Sequence, residues 1–204
     1  MKNYYGIINE IYNIFKYQDD KTVENHSRVV ASLAVQIATE SLTDNIILKN
    51  DFIDMAYLVG LTHDLGKLSL TGIESKLINV DHSFISATIL KEILERNKVD
   101  KYYIDQMIPA VKHHSEKEKY DEYELLDQIL IEADILAKLS PIYLLSLFDN
   151  NYTTKENINK INKYVKEKAI DLNGLIKTKV GKRIYGKLYQ TYCNMRLSVQ
   201  NCTK

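Results

Sequence analysis

His63 and Asp64 stand side by side at the end of the apolar run Met55-Ala56-Tyr57-Leu58-Val59-Gly60-Leu61, and Leu65-Gly66-Lys67 follows them. Desolvating an ionised carboxylate in such company costs roughly several kcal/mol unless a partner compensates it. A divalent metal ion suits a histidine and an aspartate together, because imidazole nitrogen and carboxylate oxygen are both ordinary ligands of such ions. That expectation requires more ligands elsewhere in the chain, on faces that also turn inward.

The candidates are found by placing each histidine and each oddly situated acid on its helix. His26 is followed by Val29, Val30, Leu33, Ala34 and Ile37, spacings that put it on an apolar face. Asp134 lies inside Gln128-Ile129-Leu130-Ile131-Glu132-Ala133-Asp134-Ile135-Leu136-Ala137, where an unpaired carboxylate would be costly and an N-cap role is out of place. His82 opens a helix whose inner face is Ile85, Ile89, Ile93 and Leu90, and the positive end of the helix dipole there favours the neutral imidazole a ligand needs. His113 and His114 are adjacent, so a regular helix turns only one inward. Met107, Ala110 and Val111 select His114, while a frayed helix end would admit both. One inward histidine is more often a satisfied core residue than a ligand. Titratable groups turned inward from several successive helices are better explained by a metal site. Nitrogen and carboxylate ligands without thiolates suit Mn, Fe, Co, Ni, Zn or Mg.

The elements that must position these residues read as helices throughout. With 2 prolines and 7 glycines in 204 residues, the chain is poor in strand-and-turn punctuation. The patterns predict helices near Tyr4–Phe15, from a Thr22 cap to about Glu40, and over Asp51–Thr62, stopping near Gly66. Thr71-Gly72 marks a loop. Asp81 caps a helix carrying His82 to Arg96, and Asp100 caps one from Lys101 to about His114, with a kink expected at Pro109. A polar link, Ser115 to Asp121, precedes a helix from Tyr123 to Leu139 that Pro141 ends. A short apolar segment, Ile142 to Phe148, leads to the loop Asp149-Asn150-Asn151. Helices near Thr154–Ala169 and Thr178–Leu197 complete an all-α bundle. The expected organisation is a core at 1–148 with a helical extension at 149–204 packed on it.

Charge is unevenly spread although the net charge is zero. Residues 1–150 hold 15 basic and 24 acidic side chains, and residues 151–204 hold 12 basic and 3 acidic. A basic tail of this kind docks on its own acidic body or attracts a phosphorylated substrate. Few aromatics interleave with its basic residues, which makes nucleic acid the weaker partner. Cys193 and Cys202 lack metal-site spacing and read as free thiols. The 15 tyrosines carry no functional message of their own. No run is long and apolar enough to cross a bilayer, and the amphipathic N-terminus with Glu10 is not a signal peptide, so no membrane partner and a cytoplasmic location are expected. A homodimer stays open.

The order His26-Ser27-Arg28-Val29-Val30, Leu61-Thr62-His63-Asp64-Leu65-Gly66-Lys67 and Ala133-Asp134-Ile135-Leu136 resembles the HD superfamily of metal-dependent phosphohydrolases. His82 and Ala110-Val111-Lys112-His113-His114 are similar to the additional histidines of its binuclear members, and that likeness also points to His114. The resemblance implies an all-α core and hydrolysis of a phosphate ester, often in a nucleotide. It implies two divalent cations, one on His26, His63, Asp64 and Asp134, the other on Asp64 as a bridge, His82 and His114. Asp64 and Lys67 are the expected catalytic pair: the carboxylate bridges the ions and takes a proton from the water, and the ammonium reaches a phosphate oxygen or merely ends its helix. Arg28 and Lys112 are candidate substrate contacts on spacing, and His113 a candidate metal or leaving-group contact. The glycine-tyrosine-proline signature of cyclic di-GMP phosphodiesterases is absent after His114. Ser115 stands where the dinucleoside tetraphosphate hydrolases tend to carry threonine. A dinucleoside polyphosphate hydrolase, a metal-dependent nuclease or phosphodiesterase, and a non-catalytic nucleotide-binding module are the alternatives; a full ligand set favours an enzyme.

Overall fold

A computed structural model describes residues 4–18, 21–42, 46–69, 81–146, 148 and 153–202, and no strand occurs among them. The chain is all-α. Its helices are α1 (Tyr4–Lys16), α2 (Thr22–Ser41), α3 (Ile46–Thr62), α4 (Leu65–Ser69), α5 (His82–Arg96), α6 (Lys101–His113), α7 (Leu125–Ala137), α8 (Pro141–Ser146), α9 (Thr154–Leu175) and α10 (Lys179–Cys202), with a 3-10 helix at Lys117–Glu122. They form two compact units, residues 1–134 and 135–204, divided inside α7.

In the first unit, burial follows helical spacing. Ile7, Ile11 and Phe15 line one side of α1, and Val30, Ala31, Ala34, Ile37 and Ala38 line one side of α2. The second half of α3 is buried nearly all round, from Met55 to Leu61, so it forms the centre on which α2 and α6 pack. Gly60 makes the α2–α3 packing possible. A Cβ there would lie 2.6 Å from Ala31 Cα and 2.8 Å from Ala31 N, so the two backbones meet with no side chain between them. Gly66 does the same for α4 and α5, where a Cβ would lie 2.2 Å from the His82 carbonyl oxygen. The Gly66 N–H donates to Ser86 Oγ (2.8 Å), and that hydroxyl donates to the His82 carbonyl (2.8 Å), so the seam is hydrogen-bonded as well as close.

Asp81 and Asp100 cap α5 and α6, accepting from Ser83 N–H (2.9 Å) and Tyr102 N–H (2.8 Å). Between these helices Lys98 takes a left-handed φ of 54°, and its neighbour Val99 N–H returns to the Leu94 carbonyl (3.0 Å), which closes α5 in a Schellman-type turn. Several boundaries differ from the sequence reading. Thr22 is the first residue of α2, not its cap. Lys21 holds the cap position without a side-chain cap bond, and its ammonium reaches the Phe15 carbonyl instead (2.8 Å). α3 begins at Ile46 rather than Asp51, because the polar run Lys49-Asn50-Asp51 separates Ile46-Ile47-Leu48 from the apolar period that follows. The polar link after His114 contains the 3-10 helix, since Tyr120 is buried within it. α6 runs through Pro109 to His113. The loops at Thr71-Gly72 and Asp149-Asn150-Asn151 lie outside the described residues.

In the second unit, a capping box joins Thr153 and Glu156 at the start of α9. Ile161, Val165, Ile176, Ile184 and Tyr192 are buried, and the Tyr192 hydroxyl donates to Asn162 Oδ1 (2.7 Å). Cys193 is a free thiol, and the Cys202 side chain lies outside the described residues. Among the described residues no helix is long and apolar enough to cross a membrane.

The glycines give a paired prediction. Gly60→Ala should destabilise the protein by about 1–3 kcal/mol, because overpacking forces two backbones apart. Gly186→Ala, which meets nothing within 4 Å, should stabilise it by about 0.5–1 kcal/mol through helix propensity. Urea unfolding midpoints of the two variants, moving in opposite directions, are the check.

Candidate metal centre

Four helices and one turn deliver six ligand-type side chains to one place. α2 brings His26, the turn closing α3 brings His63 and Asp64, the first residue of α5 is His82, His114 caps α6, and α7 brings Asp134. All six lie in the first unit. Asp64 is central and its two oxygens face different partners. Oδ2 lies 3.4 Å from His63 Nε2 and 3.8 Å from His26 Nε2. Oδ1 lies 3.4 Å from His82 Nε2 and 3.7 Å from His114 Nε2. Asp134 Oδ1 is 3.0 Å from His26 Nε2 and 3.9 Å from His63 Nε2. The ligand atoms of His26, His63 and Asp64 fall within 4.8 Å of one another, and so do those of Asp64, His82 and His114. These are two triads sharing one carboxylate.

The backbone orients the rings. His63 Nδ1 lies 2.8 Å from the Gly60 carbonyl and His114 Nδ1 lies 2.7 Å from the Val111 carbonyl. A carbonyl only accepts, so Nδ1 carries the proton in each ring and Nε2 turns its lone pair towards Asp64, as a metal-ligating histidine must. Burial lowers the His63 imidazole to about 4, against the opposing pull of Asp64, so this ring stays neutral near pH 7. Burial works to raise the Asp64 carboxyl. The surrounding imidazoles and the Lys67 ammonium outweigh it and hold Asp64 well below the usual carboxylate range.

Two buried atoms at the centre, His63 Nε2 and Asp64 Oδ1, have no hydrogen-bond partner. Orphaned acceptors of this kind are costly and call for an explanation. Divalent cations would supply one, since such ions accept lone pairs from imidazole nitrogen and carboxylate oxygen alike. The donor set of four imidazoles and two carboxylates fits such an ion and excludes a thiolate centre.

The other expected site residues divide. Lys67 Nζ lies on Asp64 Oδ2 at 2.6 Å, at the edge of the cluster. His113 turns sideways: its Nδ1 donates to Asp127 Oδ1 (2.8 Å) and its ring stacks on Tyr123 at 4.5 Å and 3°. Burial raises the Asp127 carboxyl, and His113 opposes that shift. Arg28 is not brought to the cluster. Its guanidinium binds Glu24 (2.7 and 3.0 Å) and lies 4.3 Å over the Tyr12 ring. Lys112 is exposed on the last turn of α6. Two residues escaped the sequence reading. Lys117 Nζ lies 3.6 Å from Asp134 Oδ2, and nothing in its charged surroundings marks it. Glu132, fully buried, accepts from the Tyr120 hydroxyl (3.1 Å). Its signal was present as an acid inside the apolar stretch of α7.

A sequence profile described as HD domain matches residues 23–139, a span that contains all six clustered side chains. The fold is similar to the crystal structure of a predicted HD superfamily hydrolase from an uncultured Thermotogales bacterium. The TM-score is 0.64 at 18% identity, over 98% of this chain and 92% of that one. At that identity the likeness concerns the fold. No curated protein matches.

Two predictions follow from the geometry. Between pH 6.5 and about 4 the unfolded chain binds a proton at His63 that the folded, metal-free chain excludes. Stability therefore falls as pH drops through that window. In chelator, urea midpoints should decline from pH 7 to pH 5, and His63→Gln should flatten that slope. Gly66→Ala should push the start of α5, and His82 with it, away from Asp64 and lower the affinity for a divalent cation, which a metal titration of the variant would read.

Proposed function

The chain belongs to the HD-domain family, and from that premise we propose that it is a metal-dependent hydrolase of phosphate esters, acting on a nucleotide or a related small phosphorylated metabolite. One observation carries the reading: the Asp64 carboxylate lies between two imidazole pairs and turns one oxygen to each. In this reading His26, His63, Asp64 and Asp134 hold one divalent cation, and Asp64, His82 and His114 hold a second. Bound there, such cations supply Lewis acidity that lowers the pKa of a water and neutralises phosphate oxygens.

The residues of the chain do the rest. The carbonyls of Gly60 and Val111 fix the aim of His63 and His114. Asp64, with one oxygen turned to each imidazole pair, would serve both cations and, as expected from sequence, take a proton from the water. Lys67, nearly half exposed at the edge of the cluster, is placed to meet an anionic substrate. The exposed Lys182, Arg183 and Lys187 of α10 support nuclease action as a second reading; nucleic acid copurifying with the protein and cut by it would favour that alternative.

The test is metal analysis of the purified protein with a phosphoester panel assayed under Mn, Co, Ni, Mg, Zn and Fe. Asp64→Ala should lose tight metal binding and turnover together, because it removes a ligand from both triads. His82→Ala should retain one metal where the wild type holds two. An Asp64→Ala protein that kept its metal and its activity would end this reading.

A further inference from the structure

Most of the ligands are sealed from solvent. The side chains of Asp64, Asp134, His63 and His114 are all less than a tenth exposed. Among the described residues in contact with them, the solvent-facing edge is formed by Lys67 (46% exposed), His82 (29%) and Lys117 (25%). All three are basic in type. The acid at this edge is Asp81, whose carboxylate lies 3.6 Å from His82 Nδ1 and also accepts from the Ser83 N–H. Glu116, next to Lys117 in sequence, is taken up by Lys119 and by the Tyr123 hydroxyl (2.9 Å).

The two lysines repeat one arrangement. Lys67 approaches Asp64 Oδ2, and Lys117 approaches Asp134 Oδ2. Each ammonium comes from a short helix, α4 in one case and the 3-10 helix in the other. Each meets a carboxylate whose other oxygen faces imidazole nitrogens.

We propose that Lys117 is a substrate-anion contact of this site and that, with Lys67, it forms a two-ammonium grip on the phosphate group. The assignment rests on the metal-site reading above. With Asp134 ligating a divalent cation, an ammonium held against the same carboxylate meets net repulsion from that cation. The arrangement is favourable when an anion lies between the two positive charges, so the ammonium is released from Asp134 and taken up by a phosphate oxygen. Anion binding and metal binding are then linked, each strengthening the other. This gives Lys117 the role that spacing alone had offered to Arg28 and Lys112.

The test uses the full chain, with Mn2+ and inorganic phosphate as probes, read by calorimetry. In the wild type, phosphate should bind at least about tenfold more tightly with Mn2+ present than with chelator. Lys117→Gln should weaken phosphate binding to the Mn2+ form about tenfold. It should leave Mn2+ affinity equal or higher, because a competing cation has gone, and raise KM for a hydrolysed ester more than it lowers kcat. Lys117→Arg should restore most of the phosphate affinity. Unchanged phosphate affinity in Lys117→Gln overturns the assignment, and so does loss of Mn2+ affinity, which makes Lys117 a structural counter-ion of Asp134. Should Lys117→Gln not fold, the wild-type linkage still decides: phosphate bound equally well in chelator overturns the proposal. A wild type that binds no divalent metal refutes the metal-site reading as well. A wild type that binds metal and cleaves esters, but has an indifferent Lys117, refutes only the grip.

Discussion

The structure is organised around one carboxylate taken out of water. Asp64 is 2% exposed and lies among four imidazoles and an ammonium. Such a group survives burial only if every side of it meets positive or donor character. No single helix can surround a point, so the compensation must come from several. α2, α5, α6 and the turn after α3 each supply a partner to Asp64, and α7 supplies a second carboxylate that shares His26 and His63 with it. The two orphaned atoms at the centre mark what these partners leave uncompensated. Divalent cations would remove it, which joins folding of this region to metal binding.

Bringing so many helices to one point demands unusually close backbones, and two glycines supply them. Gly60 lets α3 touch α2, and Gly66 lets α4 touch the start of α5. The Gly60 carbonyl has a second task, since it fixes the His63 ring. The same short stretch thus sets helix distance, ring direction and the position of Asp64. This explains why His63-Asp64-Leu65-Gly66-Lys67 acts as a unit: its residues solve different parts of one geometric problem.

Around this centre the polar residues are graded by depth. The ligands other than His82 are buried, the basic groups of Lys67, His82 and Lys117 reach solvent, and His113 with Asp127 and Tyr123 forms a separate hydrogen-bonded and stacked group beside them. An edge of this character favours anions on approach. The buried pair of Glu132 and Tyr120 lies on α7 and the 3-10 helix, the elements that carry Asp134 and Lys117, and ties the two together.

The sequence by itself determined the all-α fold, most helix positions and the inward faces of His26, His114 and Asp134. Each of these follows from local period and from the cost of burying charge, which are properties of neighbouring residues. Adjacent His113 and His114 point apart for the same reason. Tertiary structure decided what lies across the site. Arg28 looked available because its spacing from His26 is local, yet its charge is taken by Glu24 and Tyr12. Lys117 looked like an ordinary solvated lysine, yet it reaches Asp134, 17 residues away in sequence. The division of Asp64 between two imidazole pairs was equally hidden. Direction between helices is set by their packing, and that packing depends on backbone contacts at Gly60 and Gly66 that no local pattern encodes.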